Sequence, residues 1–139
     1  MDKHIVLTNQ IKEIEKVQST LNEYFWELSI GEYDRKKLFI AVDEILSNII
    51  YYGFDDVQEH FITLQVMSGQ DSIELIFTDD GKYFDPLDYL AHGKPLTPDE
   101  KTGGLGLNLI SKLMNQLQYH RLDNKNIFRI NLKFNSVPQ

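Results

Sequence analysis

The sequence contains no cysteine among its 139 residues. Disulfide bonds, thiolate metal sites and cysteine nucleophiles are therefore excluded. Basic residues are scarce as well, because 14 lysines and arginines stand against 21 aspartates and glutamates, for a formal net charge of −7. A negative field repels phosphate backbones, so this composition disfavours direct binding to nucleic acid.

Long apolar runs are also missing. No stretch approaches the ~20 residues that a membrane helix needs. The opening residues, MDKHIVLTNQ, have neither the apolar segment nor the cleavage site of a signal peptide. We therefore expect a cytoplasmic protein that does not enter the membrane. The four histidines are scattered without the i, i+4 spacing of a helical metal pair, so we predict no histidine metal site.

The residues that are present are typical of a globular protein. Hydrophobic residues make up 42% and charged residues 25% of the chain. A chain of 139 residues is long enough for one hydrophobic core but short for two. We find no internal repeat, linker or low-complexity segment, and we predict a single domain that spans residues 1–139.

Apolar residues recur at three- and four-residue steps in three segments, which predicts three amphipathic helices. The first segment is expected to break at Gly31. The second runs roughly from Asp34 to Tyr52, with Gly53 as its C-terminal stop. The third opens with the glycines of GGLGLNLISKLMNQL. The apolar positions of the three helices are Ile11, Ile14, Val17, Leu21, Phe25 and Leu28, then Leu38, Val42, Ile45, Ile49 and Tyr52, then Leu107, Ile110, Leu113, Met114 and Leu117.

Five short segments predict strands. KHIVLT comes first, and HFITLQVMS and SIELIFT follow on either side of GQD, which suits a hairpin turn. Two strands close the chain, and the last is the clearest, because apolar residues alternate strictly with polar ones in FRINLKF. Strands and helices together predict an α/β two-layer sandwich, with a mostly antiparallel mixed sheet and three helices on one face.

A long irregular segment separates the third predicted strand from the third predicted helix. It runs from Asp79 to Thr102, contains three of the four prolines, and shows only a weak helical pattern in DPLDYLA. Loops longer than ~12–15 residues inside a compact domain are usually functional or disordered. We therefore expect this loop to take part in function.

Three places depart from a simple structural pattern. Glu44 and Asn48 lie one turn apart on the second helix, so a carboxylate and a carboxamide share one face and can act on one object. A half-exposed polar stripe is the structural alternative. Asp79-Asp80-Gly81 ends a strand, where a turn is the plain interpretation. In a functional interpretation Asp79 accepts an exocyclic amine and Gly81 lets a flat ring approach the backbone.

The third place is the glycine-rich start of the last helix. Gly103, Gly104 and Gly106 let backbone N–H groups turn toward one point at the positive end of the helix dipole, which suits phosphate. A flexible junction between loop and helix is the alternative. No Lys-Ser/Thr pair follows the glycines and no strand precedes them, so neither a P-loop nor a Rossmann site is predicted.

With these three motifs in this order, the chain resembles the ATPase superfamily that includes gyrase, the heat-shock chaperone ATPases, sensor histidine kinases and MutL. Within that superfamily it is most similar to small bacterial anti-sigma-factor serine kinases. Glu44-x-x-x-Asn48 resembles the first box of the family, Asp79-x-Gly81 the second and GGLGL the third. The resemblance covers nearly the whole chain and implies a Bergerat-type ATP-binding fold whose ATP lid lies at about residues 82–102.

The resemblance also implies roles for single residues. Glu44 corresponds to the general base that takes the proton from the attacking hydroxyl, and Asn48 corresponds to the ligand of Mg²⁺. Asp79 corresponds to the acceptor for the adenine N6 amine, and Gly104 and Gly106 correspond to the glycines that face the phosphates. The other nucleotide-binding residues that the resemblance implies are Gly81, Thr102, Gly103 and Leu105.

Some positions differ from the pattern of the family. Tyr83 stands where the family often has a second glycine, and Tyr52 stands where many relatives have histidine. The family frequently has a threonine on a late strand that holds a water near the adenine. At the corresponding strand, NIFRINL offers Asn126 and Arg129.

The function implied by the resemblance is that of a regulatory protein that binds Mg²⁺-ATP and sequesters a sigma factor. It would phosphorylate a serine of an anti-sigma-factor antagonist. The alternative is a binding module in which nucleotide only switches the affinity for a partner, without phosphotransfer. A protein that only binds has no need of a base such as Glu44. A histidine-kinase fragment is less favoured, because His4 is the only histidine near the first helix. Trp26 lies off the apolar stripe of that helix, so we expect a homodimer or a docked partner at that helix and the sheet edge. A Trp folded over the edge of the core is the alternative.

Overall fold

A computed structural model describes residues 2–92 and 104–135 and confirms the two-layer α/β architecture. The predicted strands and helices all occur, with one further short helix in the long loop. In chain order the elements are β1 (Asp2–Thr8), α1 (Glu13–Glu27), α2 (Glu32–Tyr52), β2 (Phe61–Ser68), β3 (Ser72–Asp79), α3 (Pro86–His92), α4 (Gly104–Leu113), β4 (Gln116–Leu122) and β5 (Lys125–Lys133).

The five described strands form one sheet in the order β1-β2-β3-β5-β4. Every neighbouring pair is antiparallel, so the mixed character that we expected is not seen in this part of the chain. β3 pairs with β5 although α3, α4 and β4 lie between them in sequence. The register of this pairing sets Asp79 opposite Asn126.

Alternation along the strands separates a buried face from an open one. The buried face packs under the helices and contributes Ile62, Leu64, Val66, Ile73, Leu75, Phe77, Phe128, Ile130 and Leu132 to the hydrophobic core. Residues between these positions point to the other face. Arg129 lies on that open face, where its Nη1 contacts Glu74 Oε1 at 3.1 Å.

The first helix ends differently from the prediction. Gly31 does not break it, because the chain already turns at Ser29, whose φ of 58° is left-handed. The Ile30 N–H then donates to the Phe25 carbonyl oxygen at 3.1 Å, which closes the helix end. Gly31 instead lies at the N-terminal cap of α2. Ile11 precedes α1 and is 44% exposed, so its predicted place in the apolar stripe is wrong.

The buried stripe of α2 runs from Leu38 to Leu46 and ends before Tyr52, which is 42% exposed. The prediction that Tyr52 belongs to the stripe is therefore wrong. Gly53 caps the helix as predicted, and its N–H donates to the Ile49 carbonyl oxygen at 2.9 Å. Leu117 belongs to β4 and not to the last helix, because α4 already ends at Leu113.

The predicted ATP lid is only partly described. Its first part contains α3, where the weak helical pattern of the sequence does form a helix. Residues 93–102 of the predicted lid lie outside the described residues. None of the described helices is both long enough and apolar enough to cross a membrane.

Candidate functional site

A cavity of about 490 Å³ lies between the C-terminal half of α2, the helices α3 and α4, and the ends of β3, β4 and β5. This volume falls within the range of small-molecule pockets. Its polar side chains include Asn48, Asp79 and Asn126. Most of the wall is apolar or aromatic, and the aromatic residues are Tyr52, Tyr83, Phe84, Tyr89, Tyr119 and Phe128. A flat ring can therefore be enclosed between hydrophobic surfaces and oriented by a few polar groups.

Asp79 is the buried acid of this cavity, with 6% of its surface exposed. Its Oδ1 accepts hydrogen bonds from the Gly81 N–H at 2.9 Å and from Asn126 Nδ2 at 3.0 Å. Among the described residues, no hydrogen bond ends on Oδ2, which leaves that oxygen for a ligand. Burial raises the pKa of Asp79 above its ordinary value, and the two donors on Oδ1 act in the opposite direction.

The end of α2 is fixed directly to the turn that follows Asp79. The Lys82 N–H donates to the Gly53 carbonyl oxygen at 2.9 Å. A Cβ at Gly81 would collide with that same carbonyl oxygen and would lie 2.9 Å from Asp79 Oδ1. Only glycine therefore allows this close approach, which joins the helix of the first motif to the second motif.

The first and third motifs meet where Glu44 contacts Gly106. A Cβ at Gly106 would lie 2.7 Å from Glu44 Cδ and closer still to Oε2, so the carboxylate lies directly against the glycine backbone. Burial raises the pKa of Glu44, and the neighbouring charge of Asp43 raises it further. A carboxylate with a raised pKa is a better proton acceptor at neutral pH than an ordinary one.

The structure thus brings most of the predicted residues into one region. Asn48 and Asp79 line the cavity, whereas Gly81 and Glu44 are not among its lining residues; Gly81 lies against the Gly53 carbonyl and Glu44 against Gly106. Gly104 and Leu105 are the first two residues of α4, where backbone N–H groups have no partner within the helix. Thr102 and Gly103, which were also predicted to bind nucleotide, lie outside the described residues.

Sequence reasoning missed two residues and left a third undecided. Asn126, not Arg129, lies beside Asp79, because it occupies the buried face of β5. Tyr119 and Arg121 were not predicted at all. The Tyr119 hydroxyl donates to Asn126 Oδ1 at 2.6 Å, and Arg121 Nη1 donates to the same oxygen at 3.0 Å. Their signal was the period-two pattern of β4, which places an arginine on the inward face of the strand.

A second polar cluster lies next to the turn. The His60 imidazole stacks on Phe54 with ring centroids 4.2 Å apart. Its Nε2 lies 2.7 Å from Asp56 Oδ1 and its Nδ1 lies 3.1 Å from Asp80 Oδ1. The hydrogen bond and charge of Asp56, together with Asp80, raise the pKa of His60, although burial acts against them. The imidazole therefore links the loop after α2 to the turn after β3 through its two ring nitrogens.

Comparison with known proteins places this geometry in context. The family model of the histidine kinase-like ATPase domain matches residues 7–132. The crystal structure of the RsbU and RsbW domains of Rv1364c from Mycobacterium tuberculosis is similar to this chain with a TM-score of 0.68 and 14% identity. The histidine kinase domain of the blue-light activated histidine kinase from Erythrobacter litoralis EL346 is similar with a TM-score of 0.55 and 16% identity. No curated protein sequence matches.

The extent of these matches limits what they show. The first covers 96% of this chain but 32% of the mycobacterial chain, and the second covers 73% of this chain and 45% of the histidine kinase chain. This chain therefore spans about a third of the first structure and less than half of the second. At these identities the two structures show a shared fold and nothing finer.

Proposed function

The chain belongs to the histidine kinase-like ATPase domain family, and we propose that it is an ATP-dependent protein serine kinase that binds Mg²⁺-ATP in the cavity beside α2. The contact between Glu44 and Gly106 carries this proposal, because it brings a carboxylate of raised pKa to the glycine-rich start of α4. A module that only binds nucleotide has no need of such a group.

The residues around the cavity fit a nucleotide. The aromatic wall can enclose the base, and Asp79 Oδ2 can accept a hydrogen bond from an exocyclic amine. The first turn of α4 presents N–H groups and the positive end of a helix dipole, which attract phosphate. The side-chain oxygen of Asn48 is a hard ligand of the kind that Mg²⁺ accepts, and bound Mg²⁺ would neutralise charge on the phosphoryl groups.

Glu44 would act as the general base. Its carboxylate accepts the proton of the serine hydroxyl while the hydroxyl oxygen forms a bond to the γ-phosphorus. The bond between the γ-phosphorus and the β–γ bridging oxygen breaks, and ADP leaves with that electron pair. Gly106 supports this role, because the absence of a side chain lets the carboxylate lie against the start of α4.

The protein substrate that we propose is an anti-sigma-factor antagonist, phosphorylated on serine, and the second partner is a sigma factor. The three motifs support this proposal through their resemblance to small anti-sigma-factor serine kinases. The structural similarity to a chain that contains an RsbW domain points in the same direction.

Three substitutions test the assigned roles. Glu44→Ala should leave ATP affinity nearly intact and slow phosphotransfer by ~10²–10⁴-fold, the usual contribution of a positioned base. Asn48→Ala should lower ATP affinity and transfer together, because a ligand of the metal is lost. Asp79→Asn should weaken base recognition, since the amide accepts a weaker hydrogen bond than the carboxylate. Glu23→Ala, which changes an exposed acid of α1, serves as the control.

The assay combines calorimetric titration of Mg²⁺-ATP with transfer of labelled phosphate to antagonist proteins encoded near this gene. Label on a serine of one antagonist, lost in Glu44→Ala and kept in Glu23→Ala, is the expected result. If Glu44→Ala transfers phosphate at the wild-type rate, the kinase role of Glu44 is wrong. If the protein binds ATP but labels no antagonist, the kinase proposal is wrong, and a binding module that nucleotide switches without phosphotransfer replaces it.

A further inference from the structure

Asn126 has the most completely satisfied polar side chain in the wall of the cavity. It is 7% exposed and lies opposite Asp79 in the β3–β5 pairing. Its Nδ2 donates to Asp79 Oδ1 at 3.0 Å and to the Lys82 carbonyl oxygen at 2.9 Å. A primary amide has two N–H donors, so both are already in use.

The surroundings permit only one orientation of this amide. Asn126 Oδ1 faces three donors, which are the Tyr119 hydroxyl at 2.6 Å, Arg121 Nη1 at 3.0 Å and the Phe84 N–H at 3.4 Å. In the reversed orientation the NH₂ group would oppose donors, and the amide oxygen would oppose the carboxylate of Asp79. Tyr119 and Arg121 therefore hold the amide with its donors directed at Asp79.

Arg121 strengthens the same arrangement from a second side. Its Nη1 also donates to the Gly81 carbonyl oxygen at 2.8 Å, so one guanidinium group holds both the amide and the turn after Asp79. The carboxylate then has one oxygen with two donors and one oxygen left for a ligand. Because Asp79 Oδ1 and the Lys82 carbonyl oxygen engage both N–H donors of the amide, Asn126 has no donor left for a ligand.

We propose that Asn126, held by Tyr119 and Arg121, is a positioning residue that directs Asp79 Oδ2 at the nucleotide base and makes the cavity select a 6-amino purine over a 6-oxo purine. This inference rests on the proposed function. A carboxylate accepts hydrogen bonds only, so it attracts an exocyclic amine and repels a carbonyl oxygen. A free amide N–H could donate a hydrogen bond to that carbonyl oxygen. In this network both N–H donors of Asn126 are already engaged, so the cavity offers no such donor from this residue.

Asn126 also favours the charged form of Asp79. Burial raises the pKa of Asp79 and the charge of Asp80 raises it further, whereas the Asn126 amide, the Gly81 N–H and the charge of Arg121 lower it. Without the amide the pKa of Asp79 should rise. Binding that needs the carboxylate would then fail at a higher pH than in the wild-type protein.

The test compares ATP with ITP, its 6-oxo counterpart, by calorimetry across pH 5 to 8. Asn126→Ala should bind ATP about tenfold more weakly at neutral pH, the size expected for the loss of one hydrogen bond to a charged group. The preference for ATP over ITP should narrow, and the pH at which ATP binding falls should move upward. Asn131→Ala, on the same strand but on the open face, should bind as the wild type does.

Two further variants keep the inference falsifiable if Asn126→Ala folds poorly. Asn126→Asp has nearly the same size but places an acceptor against Asp79, so it should weaken ATP binding more. Tyr119→Phe removes one donor from Asn126 Oδ1 and should shift affinity and pH dependence in the same direction by less. Asn126→Ala with wild-type ATP affinity, nucleotide preference and pH dependence would overturn the inference and leave the proposed function standing.

A measurement without nucleotide separates the two failures. Carboxyl NMR titration of the free protein should show a higher pKa for Asp79 in Asn126→Ala than in the wild type. An unchanged pKa overturns the inference even if ATP binds. A wild-type protein that binds neither ATP nor ITP overturns the proposed function, and the base selectivity inferred from it falls as well.

Discussion

Replacing Gly106 by alanine should slow phosphotransfer while leaving the fold intact. The added Cβ would lie 2.7 Å from Glu44 Cδ, whereas ordinary contact begins at 3.4 Å, so the carboxylate must retreat. The retreat at Cδ is about 0.7 Å and is larger at Oε2, which gives a displacement on the order of 1 Å. A misplacement of this size in a catalytic group costs about 10²-fold in rate.

The fold should survive because the group that must move is the far end of a flexible side chain. Gly81→Ala gives a useful contrast, since its Cβ would meet the backbone carbonyl of Gly53, which cannot retreat without shifting the end of α2. Gly81→Ala should therefore lower the melting temperature, whereas Gly106→Ala should not. Gly31→Ala is the matched control, because a Cβ there meets nothing within 4 Å.

A double-mutant cycle decides whether Gly106 acts through Glu44. The phosphotransfer rate is measured for Gly106→Ala, for Glu44→Ala and for the double variant. If alanine acts by displacing the carboxylate, it should have no further effect once Glu44 is truncated, so the two losses should be strongly non-additive. Full additivity would refute the reasoning, since Gly106 would then affect catalysis independently of Glu44.

Three further predictions follow from titratable groups and exposed residues. The pKa of His60 is raised, chiefly by its hydrogen bond to Asp56, so its contribution to stability is complete below about pH 6.5 and is lost as pH rises through the folded-state pKa. The free energies of unfolding of the wild type and of His60→Gln, measured with denaturant, should therefore converge as pH rises from 6 to 9. A constant difference between them would contradict this. Because burial raises the pKa of Glu44 above 4.5, the transfer rate should rise with pH through that pKa. In Glu44→Gln the rate should no longer rise with pH, and the melting temperature should increase because burial disfavours the carboxylate. An unchanged pH profile would count against Glu44 as the base. Trp26 is 62% exposed, so Trp26→Ala should weaken dimerisation or partner affinity in sedimentation, while Leu122→Ala, at the opposite sheet edge, should not. A wild-type monomer at all concentrations with unchanged partner affinity would rule this interface out.

Local periodicity made most of the secondary structure predictable. The alternation of β5 and the three- and four-residue steps of α2 depend on residues close in sequence, and a buried face imposes them directly. The end of α1 could not be read in the same way. The left-handed residue after a helix is usually a glycine, so the end of the first helix was predicted at Gly31. In the structure Ser29 adopts this conformation instead.

The candidate site was predictable only where its chemistry lies within one short segment. Glu44 and Asn48 share a helix face, and Asp79 and Gly81 share a turn, so spacing alone identified them. Asn126 depends on the pairing of β3 with β5, which joins strands separated by two helices and another strand. A shift of that register by one residue would turn Asn126 to the open face and bring Ile127 inward. The alternation of β5 puts Asn126 on the buried face, but only the pairing of β3 with β5 sets it opposite Asp79.

Gly106 meets two structural requirements, and the sequence indicates only the first of them. Three glycines at a helix start predict a phosphate site, and that interpretation uses the N–H groups and the dipole. The structure adds that the side of Gly106 where a Cβ would stand faces Glu44. Alanine in the first turn would keep the N–H group and favour the helix, yet it would displace the base. Glycine at this position therefore allows the backbone to face phosphate while the Glu44 carboxylate lies against it. The second requirement arises only from the packing of α2 against α4, so the sequence does not show it.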